Sequence, residues 1–512
     1  MDLSALVVEL RAAAARTDER RLLVLSGQRA VCYEYAERVL DELAVPIADT
    51  TLVGERDFLE CERVGPRNAD ELLGTTREVI VVDAHDELRP NALGTVVGAV
   101  DGGGLVVLCT PPLDEWPDRR DGFDEGLAVP PFSVDEVTSH FRRRLVDLLR
   151  QHRGVAIVDL GAGTVLDDGL THPAPRLDDG WFRSHEVHAF PDPALDACLT
   201  KDQETAVVAL EALREDQQAV VIEADRGRGN SSAAGLAAGS LVAEGRDVLV
   251  TAPAYRSAAE VFARARELLE TLDDLEATED RRLVATGGRV EFRDPLDAVA
   301  AIDEYDALIV DEAAALGVDL LESTLVADRV AYATTVHGYE GAGRGFSVRF
   351  RDRLDESDHE VTDVTMSTPI RYAAGDPVEA WGFHALMLDA RPPVDSLVAE
   401  ATPESATYRR IDAAELASDE HLLREVFGLL VLAHYRTEPN DLARLLDAPN
   451  VRVRALIHDG HVVSVALLAR EGDLPADLRA DMYEGGRVRG NMLPDVLTSQ
   501  LRDEEAGIPV GF

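Results

Sequence analysis

Ala219-Val220-Val221-Ile222-Glu223-Ala224-Asp225-Arg226-Gly227-Arg228-Gly229-Asn230-Ser231-Ser232 is the stretch on which the fold turns. Its apolar opening reads as a short buried strand, its glycines as a loop, and the small residues from Ser232 to about Ala243 as a helix. A glycine-rich loop between a strand and a helix aims backbone N–H groups and the positive end of the helix dipole at one point, which suits a phosphate. The P-loop pattern is GxxxxGK[ST]. Here Ala224 stands at the first glycine, Gly229 at the second, Ser231 at the Mg²⁺-binding hydroxyl and Asn230 at the lysine. Asparagine is shorter than lysine and uncharged, so ATP is expected to bind while hydrolysis is much reduced.

Downstream, Asp306-Ala307-Leu308-Ile309-Val310-Asp311-Glu312 is a second apolar strand ending in two carboxylates. In a nucleotide hydrolase Asp311 would hold Mg²⁺ and Glu312 would orient or deprotonate the attacking water. Upstream, Leu199-Thr200-Lys201-Asp202-Gln203 precedes a helix, and Gln203 could present its amide to an adenine edge. Strand and loop, second strand, and upstream glutamine come in the order of a helicase-like P-loop ATPase. The expected nucleotide-binding set is Gln203, Asp225, Arg226, Gly227, Arg228, Gly229, Asn230, Ser231 and Ser232. Asp311 and Glu312 are the catalytic pair, and Ser231 and Asp311 the Mg²⁺ ligands.

Around this centre the 512 residues divide into an N-terminal α/β domain (1–185), the ATPase domain (195–395) and a third domain (405–512). In the first, strands at 22–25, 78–83 and 105–108 alternate with helical stretches, which implies a parallel, Rossmann-like sheet. Gly102-Gly103-Gly104 reads as a tight turn rather than a phosphate cradle, and Gly161-Ala162-Gly163 lacks the full dinucleotide fingerprint. Phe190-Pro191-Asp192-Pro193 reads as a linker. In the third domain a helix over 422–435 precedes two alternating strands joined at His458-Asp459-Gly460-His461, a hairpin turn.

The composition sets the habitat. Asp and Glu number 96 against 51 Lys and Arg, a net charge of −45, and Lys201 is the sole lysine. An even acidic excess keeps a chain hydrated in molar salt, where the Debye length falls to ~3 Å, so the sequence reads as that of an extreme halophile. The same screening leaves a nucleic-acid partner open. No apolar run is long enough to span a membrane and no secretory signal opens the chain, so a cytoplasmic protein is expected. Cys32, Cys61, Cys109 and Cys198 are scattered and read as buried small hydrophobes.

Several further motifs resemble the tRNA(Met) cytidine acetyltransferase family. They are Thr334-Thr335-Val336-His337-Gly338-Tyr339-Glu340-Gly341-Ala342-Gly343-Arg344-Gly345-Phe346, Pro369-Ile370-Arg371-Tyr372, Asp376-Pro377-Val378-Glu379, His434-Tyr435-Arg436-Thr437 with Pro439 and Asp441-Leu442, and Arg489-Gly490-Asn491. The resemblance runs in order along essentially the whole chain. It implies an enzyme that acetylates the exocyclic amine of the wobble cytidine in elongator tRNA(Met), using acetyl-CoA and driven by ATP hydrolysis in a helicase-like module. It also implies that Arg371 contacts the ATP phosphates across the site, that His337 and Tyr339 stack on RNA or pack a turn, and that the third domain is of the N-acetyltransferase (GNAT) type.

In that family acetyl-CoA sits on a [Q/R]xxGx[G/A] loop expected soon after Arg489-Gly490-Asn491, whereas this chain runs to Pro509-Val510-Gly511-Phe512 without one. The expectation is therefore a partial acetyltransferase domain. Three readings follow: a family enzyme, working or derived; a non-catalytic RNA- or partner-binding scaffold, or half of a split enzyme completed by a companion chain; and a stand-alone ATPase, disfavoured by Asn230.

Overall fold

The computed structural model describes residues 3–171, 188–337, 350–433 and 437–502, together with 505 and 508. The chain forms two compact units. One comprises Met1–Arg176, Gly375–Val431 and Glu438–Phe512, the other Leu177–Ala374 with Leu432–Thr437.

The first unit is built on a seven-stranded sheet: β1 Arg21–Ser26, β2 Thr50–Val53, β3 Glu62–Val64, β4 Arg77–Asp83, β5 Val100–Thr110, β6 Val155–Asp159 and β7 Thr164–Asp168. The order is β3-β2-β4-β5-β1-β6-β7, parallel except for the β6–β7 pair. Every residue of β1 is buried, as in a parallel strand covered on both faces. Side-chain alternation sends Leu23 and Leu25 to a core shared with helix Leu3–Thr17, and Leu22 and Val24 to the opposite core.

That opposite core contains Val378, Trp381, Leu386, Leu423 and Leu446 from far down the chain. Residues 375–395 and much of the described part of 405–465, read from sequence as parts of two further domains, thus share a core with the first sheet. Buried polar links hold them there. Arg20 and Asp376 are both fully buried and bonded at 2.8 Å, and Asp376 also caps helix Pro377–Leu386 by accepting from the Glu379 N–H. Asn91 and Asn440 exchange side-chain-to-backbone bonds, Asp447 accepts from Thr138, His140 and Phe141, and buried Asn491 donates to the Pro130 carbonyl at 2.6 Å. The third segment adds the antiparallel sheet β16 Thr407–Ile411, β17 Val451–His458 and β18 His461–Ala469. The β17–β18 turn is the expected tight one, with Asp459 and Gly460 both at positive φ.

The second unit has eight strands: β8 Gln218–Asp225, β9 Asp247–Thr251, β10 Leu275–Glu279, β11 Arg282–Ala285, β12 Arg289–Phe292, β13 Ala307–Val310, β14 Arg329–His337 and β15 Glu360–Met366. Their order is β10-β11-β12-β9-β13-β14-β8-β15 and the run from β12 to β15 is parallel. This is the multidomain α/β architecture expected, with a central doubly covered sheet carrying the P-loop.

Two local readings change. Gly102-Gly103-Gly104 lies inside β5 rather than in a turn: the strand breaks register against β4 there, and a Cβ on Gly104 would fall 2.7 Å from the Glu78 carbonyl. Phe190, read as linker, is buried in the core of the second unit, and Asp192–Asp196 is helical. No helix among the described residues is long and apolar enough to cross a membrane.

Candidate nucleotide site

β8 delivers the loop. Its buried residues Ala219, Val220, Val221 and Ile222 anchor it between β14 and β15, and the chain leaves the sheet at Asp225. Gly227 and Gly229 both take left-handed backbone, at φ +76° and +87°. Gly229 is required twice over: it is the N-cap of helix Asn230–Ala243, and a Cβ on it would lie 2.2 Å from the Gln203 amide nitrogen. The helix that follows is almost wholly buried, which its alanines, glycines and serines permit.

Gln203 is brought to this loop. Its Oε1 accepts from the Leu199 N–H at 2.7 Å and its Nε2 donates to the Gly229 carbonyl at 3.4 Å, with the side chain buried. Both amide ends therefore brace the loop against the segment before helix Lys201–Ala209.

Ser231 and Asp311, the expected Mg²⁺ ligands, lie side by side. The Ser231 hydroxyl donates to Asp311 Oδ1 at 3.0 Å, and the Glu312 N–H donates to the same oxygen at 3.0 Å. Asp311 is fully buried, and its Oδ2 has no hydrogen-bond partner among the described residues. Burial, with the neighbouring Glu312 charge, pushes its carboxyl up to about 8, against the pull of Ser231. A buried carboxylate oxygen without a partner beside a hydroxyl is a donor set that fits a hard divalent cation. Glu312 sits in left-handed backbone at φ +48°, a strained conformation for a residue with a Cβ, and its carboxylate takes a 3.4 Å hydrogen bond from Thr335.

Asn230 begins the helix and is buried, and its Nδ2 has no partner among the described residues. An unpaired amide donor at a helix N-terminus fits a phosphate oxygen. Arg228 is buried and spans to Arg226 O at 3.1 Å and to the Tyr372 hydroxyl at 3.4 Å, while the Ile370 N–H bonds Gly227 O at 3.1 Å. The Pro369-Ile370-Arg371-Tyr372 motif is thereby held on the loop, with Arg371 between two residues that touch it. Ser232 is buried in the first turn, and Asp225 and Arg226 are half-buried.

Two contributors carried no assigned role in the sequence reading. Thr335 lies beside Ala224 in the β14–β8 ladder, at the level where the loop begins, a position legible only once those strands are known to pair. Asp202 accepts from the backbone N–H groups of Ser367 and Thr368 at 2.8 Å each. Burial alone would raise its carboxyl, but these bonds outweigh burial and hold it below the usual range. Tyr339, His434, Tyr435 and Arg436 lie outside the described residues, as does the His337 side chain.

Comparison with known proteins agrees with this geometry. A family model described as "tRNA(Met) cytidine acetyltransferase TmcA, N-terminal" matches residues 1–160. The model "RNA cytidine acetyltransferase NAT10/TcmA, helicase domain" matches 221–389, and "GNAT acetyltransferase 2" matches 425–511. The tRNA(Met) cytidine acetyltransferase TmcA of Haloarcula marismortui is 62% identical over 98% of this chain and 65% of its own length. That of Haloferax volcanii is 60% identical over 100% of this chain and 68% of its own. A more distant relative, from Pyrococcus abyssi, is 34% identical over 83% of this chain and 54% of its own. The chain thus spans about two thirds of the length of the two halophile relatives. Those relatives are single polypeptides, so they lend no support to the companion chain that the split-enzyme reading would need. A P-loop with its Ser231–Asp311 pair, set between segments that match the family's opening and acetyltransferase modules, leads to one conclusion: the chain belongs to the tRNA(Met) cytidine acetyltransferase family.

Proposed function

We propose that this chain carries the ATP-dependent module, and the opening part of the acetyl-transfer module, of a cytoplasmic enzyme that acetylates the wobble cytidine of elongator tRNA(Met) with acetyl-CoA. The observation that carries the ATP part is the hydrogen bond from Ser231, in the first turn of the helix that Gly229 caps, to the fully buried Asp311. In this reading the loop N–H groups from Gly227 to Ser232 and the Asn230 amide hold the phosphates, and Arg371 adds a charged contact. Ser231 and Asp311 would hold Mg²⁺, which when bound neutralises charge on the phosphate oxygens. Glu312, steadied by Thr335, orients the attacking water and takes its proton. Among the described residues of the third segment no glycine-rich acetyl-CoA loop is present, so the acetyl donor is assigned no residues.

Asn230 sets the rate in this scheme. It donates one hydrogen bond but brings no charge to offset what gathers on the γ-phosphate, so turnover is slow. The test uses the purified chain in roughly molar KCl, where surface charge is screened. ATP turnover is measured with and without elongator tRNA(Met), and acetylcytidine is quantified by nucleoside mass spectrometry. Asn230→Lys is expected to raise turnover about tenfold or more; equal rates would remove Asn230 from the mechanism. Asn230 also favours a second reading, an RNA-binding scaffold that holds ATP without using it. Acetylcytidine formed in an ATP-dependent way would sink that reading.

A further inference from the structure

In the third segment three side chains converge that the nucleotide chemistry leaves unused. His421 and Glu425 stand one turn apart on helix Glu420–Ala433 and so share a face. The Asp459-Gly460 turn brings His461, the first residue of β18, to the same point. Glu425 is buried, its side chain 6% exposed. Its Oε2 accepts from the Val462 N–H at 2.8 Å, while Oε1 faces His461 Nδ1 at 2.7 Å and His421 Nε2 at 3.3 Å. One nitrogen from each imidazole and one carboxylate oxygen all lie within 4.8 Å of one another.

A buried carboxylate that only accepts hydrogen bonds can take them spread over both of its oxygens. Here both imidazoles crowd a single oxygen, and the other is committed to a backbone N–H. That is the arrangement of a coordinating carboxylate whose far oxygen is fixed by a backbone donor. Ligand atoms bound tetrahedrally at zinc distances stand ~3.3 Å apart. The His421–Glu425 edge already has that length, 3.3 Å, and the His461–Glu425 edge, 2.7 Å, needs to open by roughly half an ångström to reach it. His421 is 62% exposed, so the open side admits water as a fourth ligand. Two imidazoles with one carboxylate select a borderline transition metal over Mg²⁺ or Ca²⁺, which want oxygen.

We propose that His421, Glu425 and His461 form a binding site for a divalent transition metal of the zinc type, clamping helix Glu420–Ala433 onto the β17–β18 hairpin. The chelator-treated full chain is titrated with Co²⁺ in molar KCl and followed by visible absorption, with Zn²⁺ as competitor. The expected result is the intense absorption of a four-coordinate cobalt site, saturating at one equivalent and erased by Zn²⁺. His421→Ala removes a largely exposed side chain and leaves folding intact. It is expected to weaken Co²⁺ binding at least about tenfold and to abolish the rise in thermal midpoint that Zn²⁺ gives the native chain. A cobalt spectrum equal to that of the free ion would overturn the proposal, as would binding unchanged in both His421→Ala and Glu425→Gln.

Discussion

The nucleotide loop and the first unit solve the same problem, holding distant segments together, by opposite means. The loop is assembled from a strand, its turn and its helix in one continuous stretch, then joined by short elements of the same sheet. The first unit instead joins a sheet from the first 168 residues to segments more than 200 residues later, through an ion pair, an asparagine exchange and a multiply bonded aspartate. The first kind of assembly leaves Asp311 Oδ2 without a hydrogen-bond partner among the described residues, as a ligand site can. In the second kind the groups that join the segments, Arg20 with Asp376, Asn91 with Asn440 and Asp447 with Thr138, satisfy one another within the chain.

This contrast predicts where the molecule breaks. Arg20→Met is expected to cost about 3–5 kcal/mol in unfolding, because it leaves Asp376 buried and unpaired; denaturant melting checks it. Asp311→Asn is expected to cut Mg²⁺-dependent ATP turnover by at least about 10²-fold with no loss of stability, since it keeps the shape of the buried side chain and removes only the carboxylate that Mg²⁺ would need. A melting midpoint lowered as far as in Arg20→Met would erase the distinction between the two regions. Asn491→Ala is expected to cost about 1–3 kcal/mol, as it strands the Gly472 N–H and the Pro130 carbonyl together.

A further effect is on pH dependence. Asp311 titrates near 8 in the folded chain and near the ordinary carboxylate value when unfolded. Its contribution to stability is therefore greatest below about pH 4, falls as pH rises toward 8 and is level above, with the metal absent. Mg²⁺ needs the ionised form, so its apparent affinity is expected to rise about tenfold per pH unit up to about pH 8 and then flatten. Calorimetric titrations across that range measure it, and an affinity flat with pH would mean that Asp311 is already ionised.

The same contrast explains what the sequence made legible. Val220, Gly229, Ser231 and Asp311 announce themselves because apolar runs, glycines and terminal carboxylates are local patterns with local causes. The Asp376-Pro377 motif was visible as a motif, yet nothing local says that its carboxylate meets Arg20, 356 residues earlier in the chain. Arg489-Gly490-Asn491 is similar: Asn491 locks onto Pro130, and a Cβ on Gly490 would strike the Val129 side chain at 2.8 Å. The glycines of β5 misled for the converse reason, since three in a row signal a turn wherever register and neighbouring carbonyls are unknown. The position of Gln203 suggests an adenine contact, whereas its bracing of Gly229 shows only in the fold.

The order of synthesis acquires meaning from the interrupted first unit. Leu22, Val24 and Val106 present one face of the first sheet to Val378, Trp381, Leu423 and Leu446. As the chain emerges from the ribosome, that face has only the cover of its own helices, through Leu93, Val96, Phe141 and Leu145, until the 177–374 unit has been made. The nucleotide-binding unit, nearly continuous in sequence, can close on itself in the meantime. The first unit is thus begun before the nucleotide-binding unit and completed after it, and a pause or nick between the two would leave part of an apolar sheet face waiting for its cover.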